Sequence, residues 1–284
     1  MKIALVQMAP HLGNTGKNLD LHLEYIEQAR KAKARLVVFP ELSLTGYTLK
    51  DLVPDVALDP ARSPLFKKLA AASKGISLVL GFVEEKAAER GLFYNSAACF
   101  SDGKILHVHR KVFLPTYGFM EEAKFFAQGR NFSTFLAPFG RIGLMICRDF
   151  LHYGANYLLF AGGAETIIVI SAAPGRGVSD GEKFETSRMW ELMGEAVSYF
   201  STAFVIYCNR VGLEDGVSFA GGSFVYSPKG HQMNRASYGD PEMLIQDLDP
   251  ALIRDARKIW PFKRDDKPEV ILQSLERIVR AYED

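Results

Sequence analysis

The sequence predicts an α/β fold of two mixed sheets packed face to face, with helices on the outside. Three observations lead there. An apolar strand, an amphipathic helix and a second apolar strand follow one another within residues 2–39, which is the order of a β-α-β opening. Later strands pair as hairpins around turn residues such as Ser101-Asp102-Gly103. Helical stretches fall between groups of strands, which disfavours a doubly wound single sheet.

In chain order, residues 2–8 (KIALVQM) read as a buried strand and 13–16 as a turn. Residues 18–33 place Leu19, Leu21, Leu23, Ile26 and Ala29 against a charged side, which predicts an amphipathic helix. Residues 36–39 form a second buried strand, 63–73 a helix and 76–83 a strand. Strands over 94–100 and 104–109 make one hairpin, and 134–137 and 141–146 make another around Pro138 to Gly140. A helix is expected over 155–161, a strand over 167–170 and a long helix over 183–200. Strands at 203–208 and 222–226 precede a turn at Ser227-Pro228-Lys229-Gly230, and 243–247 is the last strand. A charged stretch at 263–267 leads into a C-terminal helix over 268–282. No repeat or linker divides the chain, so residues 1–284 are expected to form one domain. Residues 260–284 then form a tail and helix used in packing or oligomer contacts.

Of the 284 residues, 48% are hydrophobic, enough for a large core. Lys and Arg number 34 against 33 Asp and Glu, so a net charge of +1 leaves no footprint for nucleic acid or an anionic membrane. The three cysteines, Cys99, Cys147 and Cys208, are widely spaced with no CxxC pair. That argues against a disulfide framework and against structural zinc. No stretch has the length of a signal peptide core or a membrane span. A cytoplasmic location is the default expectation.

Cys147 ends the apolar run RIGLMIC and is followed at once by Arg148 and Asp149. A thiol where a buried strand meets a polar turn is rigidly held yet open on the turn side. A helix beginning there would favour its thiolate. Cys99 and Cys208 lie within strand-like runs and are expected to be inert core. Glu41 follows the strand VVFP, where a carboxylate is costly unless paired or functional. Lys111 ends the strand ILHVHR. Alone, each has an ordinary explanation: a small core residue, a solvated strand-end acid, a surface lysine. Together they supply a base for the thiol, a cation for the thiolate and oxyanion, and an acid for a leaving nitrogen. The Arg148 backbone N–H would be a second oxyanion donor.

The contexts FPELSLTGY, HRKVFLPTYGFMEE and GLMICRDF, in this order, resemble the nitrilase superfamily of carbon–nitrogen hydrolases. KIALVQMAP, GNTGKNLD, YCNRVG and GGSFVYSPKG extend the resemblance over most of the chain. It implies a four-layer α-β-β-α sandwich, a Glu41-Lys111-Cys147 triad, no cofactor, and a homodimer or larger homo-oligomer. It also implies a second glutamate that orients the lysine and substrate, at Glu122 in preference to Glu121. Tyr117, Phe119, Ala172 and Ala173 become expected pocket walls. PELSLTGYTLKDL, LPTYGFMEE and SFAGGSF resemble most the glutamine-hydrolysing domain of NAD synthetases and stand-alone proteins like it. The implied activity is hydrolysis of a small amide with release of ammonia through a cysteine thioester. Any synthetase partner is expected to be a separate chain.

Two departures bear on the substrate. Arg148 and Asp149 follow the cysteine, and His152-Tyr153-Gly154 stand where many amidases of the family carry Phe-Pro-Glu. Arg148 could hold a substrate carboxylate or make a structural salt bridge with Asp149 or a neighbouring chain. The competing activities are a nitrilase, an N-carbamoyl amide hydrolase and, less favoured, an acyltransferase. A cysteine–histidine pair or metal site using His107 and His109 has little support, since no third ligand can be placed. The reading of a different class is a non-catalytic interaction protein that keeps the fold.

Overall fold

A computed structural model describes residues 1–177 and 184–282. The chain opens with β1 (Lys2–Gln7), α1 (Thr15–Lys31) and β2 (Leu36–Val38). The helix starts earlier than its apolar periodicity indicates, because the Asn14 side chain accepts the Lys17 N–H at 3.0 Å and caps it. α2 (Val53–Val56) and α3 (Pro64–Ala72) lead to β3 (Ser77–Glu84), β4 (Tyr94–Ser101) and β5 (Lys104–Arg110). After α4 (Glu122–Phe125) come β6 (Thr134–Ala137), β7 (Gly140–Ile146), α5 (Tyr153–Ala161) and β8 (Thr166–Ser171). α6 (Glu185–Ser201) follows; the predicted first residue of that helix, Lys183, lies outside the described residues. β9 (Phe204–Asn209), β10 (Val211–Glu214), β11 (Val217–Ala220), β12 (Phe224–Tyr226), β13 (Gln232–Arg235) and β14 (Glu242–Asp247) complete the strands. α7 (Ala251–Ile259), α8 (Phe262–Asp265) and α9 (Pro268–Ala281) end the described chain.

Two six-stranded sheets result, ordered β14-β1-β2-β3-β4-β5 and β13-β12-β9-β8-β7-β6. Each has a parallel centre, β1-β2-β3 or β7-β8-β9, flanked by antiparallel strands. The 94–109 hairpin lies on the flank of the first sheet, the 134–146 hairpin joins flanking β6 to central β7, and the β-α-β opening forms part of the first sheet's centre. Side-chain alternation separates the layers. Ile3, Leu5, Leu36, Val38 and Val79 point inward onto Ile142, Leu144 and Ile146 of the other sheet. Ala4, Val6, Val37, Leu78 and Leu80 face outward onto Leu19 and Ile26 of α1 and Phe66 and Leu69 of α3. Trp190 and Val197 of α6 cover the outer face of the second sheet. The layers are α-β-β-α. The β10-β11 hairpin and β13 were not foreseen; their short polar runs (VGLE, VSFA, QMNR) carry little alternation.

At the C-terminus α9 buries no residue, and Leu272, Leu275 and Val279 are exposed along it. No described helix is long and apolar enough to cross a membrane.

One glycine fixes the approach of the first sheet to its own strand-end loop. A Cβ on Gly81 of β3 would lie 2.2 Å from the Leu42 nitrogen and 2.9 Å from the Glu41 Cα. Backbone cannot yield as a side-chain tip can, so Gly81→Ala is expected to cost about 1–3 kcal/mol and to push Glu41 out of place. Gly154→Ala, where nothing lies within 4 Å, is the neutral control. Urea unfolding checks this; equal midpoints for the two variants would mean that the Glu41 turn moves without cost.

Candidate active site

Polar residues gather where strands end. Glu41 lies beyond β2, Lys111 directly after β5, Cys147 directly after β7 and Ala172 directly after β8. In parallel sheets this carboxyl end is where side chains can converge outside the ladder. Glu41, Lys111 and Glu122 are all buried, with Lys111 fully so. The Lys111 ammonium donates to Glu41 Oε1 and to Glu122 Oε1, each at 2.7 Å. Asn95 Nδ2 donates to Glu41 Oε1 at 2.8 Å, and the Ala172 N–H to Glu41 Oε2 at 2.7 Å. Tyr47 OH donates to Glu122 Oε1 at 2.6 Å. Glu122 Oε2 is buried without a hydrogen-bond partner among the described residues.

The electrostatics follow from burial. Desolvation works against the Lys111 ammonium, but Glu122, Glu41 and Cys147 outweigh it and hold its pKa above the ordinary lysine value. Burial pushes the Glu122 carboxyl up to about 7; Glu41 adds to this, while Lys111 and the Tyr47 hydroxyl oppose it. Burial also pushes the Cys147 thiol up to about 12; Glu41 adds, while Lys111 and a hydrogen bond from Ser171 act the other way. No α-helix begins at Cys147, so the condition for a helix-favoured thiolate is not met. The element after Cys147 is one 3-10 turn, Cys147–Leu151, too short to offset desolvation.

Cys147 has φ +46, a conformation that L residues seldom adopt. A carboxylate anchors this turn. Asp149, fully buried, accepts the N–H groups of Val112 (3.0 Å), Phe113 (2.9 Å) and Ile146 (3.3 Å), and pairs with His109 Nε2 at 2.8 Å. It therefore ties the residues after Lys111 to the residue before Cys147. His107 instead stacks on Phe135 with centroids 4.5 Å apart. The two histidines are engaged structurally, and among the described residues no group of His, Cys, Asp and Glu is arranged to hold a metal.

Tyr117 and Phe119 are partly exposed beside this centre, in the loop between Lys111 and Glu122. Arg148 lies over the Tyr117 ring at 5.0 Å and donates to its hydroxyl at 3.2 Å. Arg176 lies over the Phe119 ring at 4.7 Å. Arg148 makes no salt bridge to Asp149, whose oxygens are taken by His109 and backbone N–H groups. Ala172 and Ala173 are buried, and their N–H groups hold Glu41 and Asn209 Oδ1 (2.9 Å).

Several contributors escaped the sequence reading: Asn95, Tyr47, Ser171, Asp149 and Arg176. A buried pair of Arg210 and Glu214, 2.7 Å apart, also supports the site, because Glu214 Oε1 accepts the Tyr47 N–H at 2.8 Å. Arg210 sits in the YCNRVG stretch and Asp149 in GLMICRDF, so both were within recognised segments. Asn95, in the strand YNSAACFS, gave no such signal.

A thiol held near 12 should label in proportion to hydroxide over the accessible range. The iodoacetamide rate of Cys147 is expected to keep rising through about pH 9, and Cys99, pushed up to about 12 by burial and fully enclosed, should label more slowly still. Mass spectrometry against pH reads this; a plateau below about pH 8 would show a thiolate already formed.

A carbon–nitrogen hydrolase family profile matches residues 2–258. The chain is 32% identical over 281 residues to a glutamine-dependent NAD(+) synthetase of Acinetobacter baylyi, covering 99% of this chain and 50% of that one. It thus spans about half the length of the synthetase it matches. It is 31% identical to an (R)-stereoselective amidase of a Pseudomonas species, covering 93% of this chain and 91% of the amidase. The crystal structure of a Helicobacter pylori carbon–nitrogen hydrolase superposes with a TM-score of 0.83 at 26% identity, covering 97% of this chain and 98% of the other. With two facing sheets and a glutamate, a lysine and a cysteine at their strand ends, the chain belongs to the carbon–nitrogen hydrolase family.

Proposed function

We propose that the protein is a thiol hydrolase that cleaves the C–N bond of a small, non-peptide amide and releases ammonia through a Cys147 thioester. The observation that carries this reading is the buried Glu41–Lys111–Glu122 cluster at 2.7 Å contacts, electrostatically coupled to Cys147. Glu41 Oε2 keeps a lone pair beyond the one held by the Ala172 N–H, so it can take the thiol proton. As that proton leaves, Sγ bonds to the amide carbon and the carbonyl π pair moves to oxygen. Lys111 gives two N–H groups to the two glutamates, which leaves a third for the developing oxyanion. The proton held by Glu41 passes to nitrogen, the C–N bond breaks, and ammonia leaves. A water then gives its proton to Glu41 and its oxygen to the thioester carbon, and sulfur leaves with the proton returned.

Glu122 Oε2, buried without a partner, is suited to accept an N–H of the carboxamide. Arg148 and Arg176 on their aromatic rings suit an acyl part that bears a carboxylate. The glutamine dependence in the name of one relative favours the same class.

Ammonia release from a panel of glutamine, asparagine, ω-amides of dicarboxylates, neutral aliphatic amides, carbamoyl amines and nitriles tests the proposal. Activity is expected with one carboxylate-bearing amide class, to be lost in Cys147→Ala, and to show KM raised about tenfold or more in Arg148→Ala. Silence across the panel, or activity surviving in Cys147→Ala, would favour an interaction protein. Preference for nitriles would favour a nitrilase.

The second test is pH. Glu122, pushed up to about 7, is protonated below that value and loses its acceptor role, so kcat/KM should rise as pH increases through about 7. Glu122→Gln should lower kcat/KM and abolish that limb; an unchanged limb would remove Glu122 from substrate binding.

A further inference from the structure

At the pole opposite the catalytic centre, where the central parallel strands begin, the two sheets part around a cavity of about 790 Å³. Arg35 just before β2, Ser77 opening β3, Thr166 opening β8 and Phe204 opening β9 all line it, and α7 closes one side. The volume is that of a site for a small molecule. Its floor is apolar: Ile76, Phe139, Phe204, Leu248 and Ile253. Its other lining is charged and unbalanced. Arg35, Arg254, Arg257 and Lys258 line it against two carboxylates, Asp102 and Glu165.

Those carboxylates serve the backbone. Asp102 Oδ1 accepts the Gly75 N–H at 3.1 Å, and Glu165 Oε2 the Arg141 N–H at 3.1 Å. Arg257 donates only to neutral oxygens, Thr202 Oγ1 at 3.4 Å and the Ala164 carbonyl at 3.3 Å. Arg35, Arg254 and Lys258 make no side-chain hydrogen bond or ion pair with a described residue, and all three are exposed. Cations that meet neither acids nor carbonyls, set around an apolar hollow, suit a ligand that supplies the missing charge and an apolar body together. Amide chemistry at the far ends of the strands uses none of these groups.

We propose that this cavity at the strand-start pole is a second binding site, for a small amphipathic anion: a carboxylate or phosphate head on an apolar body. The head is held by the guanidiniums of Arg35 and Arg254, and the body lies on Phe139, Phe204 and Ile253. Nothing in this assignment depends on the reaction at Cys147.

The test is calorimetric titration of the whole protein with decanoate and, in parallel, decyl phosphate. Decanol and decyltrimethylammonium serve as neutral and cationic probes of the same length. Saturable one-to-one binding of either anion, at least tenfold tighter than either control, is expected. Both Arg35→Glu and Arg254→Glu change exposed side chains without partners, so the fold should persist, and each should weaken the anion at least tenfold. Phe204→Ala should weaken it too, while Arg148→Ala, at the catalytic pole, should leave it unchanged. Stronger binding of decanoate would assign a carboxylate head and of decyl phosphate a phosphate head. No saturable binding of either anion, equal binding of the cationic probe, or indifference to both charge reversals would overturn the site.

Discussion

The constraint on which the rest depends is a lysine ammonium fully buried between two glutamates. One cation and two carboxylates in a core are expensive, and removing any one member of such a set typically costs about 3–5 kcal/mol. The surrounding architecture reads as the means of offsetting that cost. Asn95, the Ala172 N–H and Tyr47 each donate to the carboxylates. Those donors come from both sheets: Asn95 lies on β4 of the first, and Ala172 follows β8 of the second. The cluster therefore also works as a clamp between the layers at their carboxyl ends. The inward-facing apolar residues set the spacing of the sheets, and this cluster sets their registration at one pole.

Much of this was readable in the sequence because it follows from periodicity and strand-end chemistry. The apolar run KIALVQ and the 3.6-residue spacing in α1 identify a buried strand and an amphipathic helix without any partner being known. Glu41, Lys111 and Cys147 each had an ordinary reading alone; they were legible only as a set at strand ends and through the family resemblance of their contexts. Asn95 was not. It lies within a strand, and its role arises only because β4 and β3 lie beside the Glu41 turn in the folded sheet. Arg176 was hidden for a related reason: its meaning depends on a ring contributed by Phe119, far away in sequence. Asp149 shows the converse. Its charge was noticed and read as a possible partner for Arg148, whereas the fold gives it three backbone N–H groups and a histidine. Backbone donors leave no trace in residue identities.

The state of the thiol shows how the same burial governs chemistry. Moving a cysteine pKa from 9.0 to about 12 makes the free thiolate costlier by roughly 4 kcal/mol. A thiolate formed first would carry that whole cost, beside a carboxylate that repels it. In the proposed reaction, proton transfer to Glu41 during carbon–sulfur bond formation avoids it, because charge leaves sulfur as it appears on the substrate oxygen next to Lys111. A buried lysine with two carboxylate partners cannot readily give up its proton, so it remains a cation through every step. In that proposal Glu41 alternates between acid and base, and Lys111 keeps constant charge. The raised thiol and the lysine held as a cation follow from one buried, carboxylate-rich enclosure.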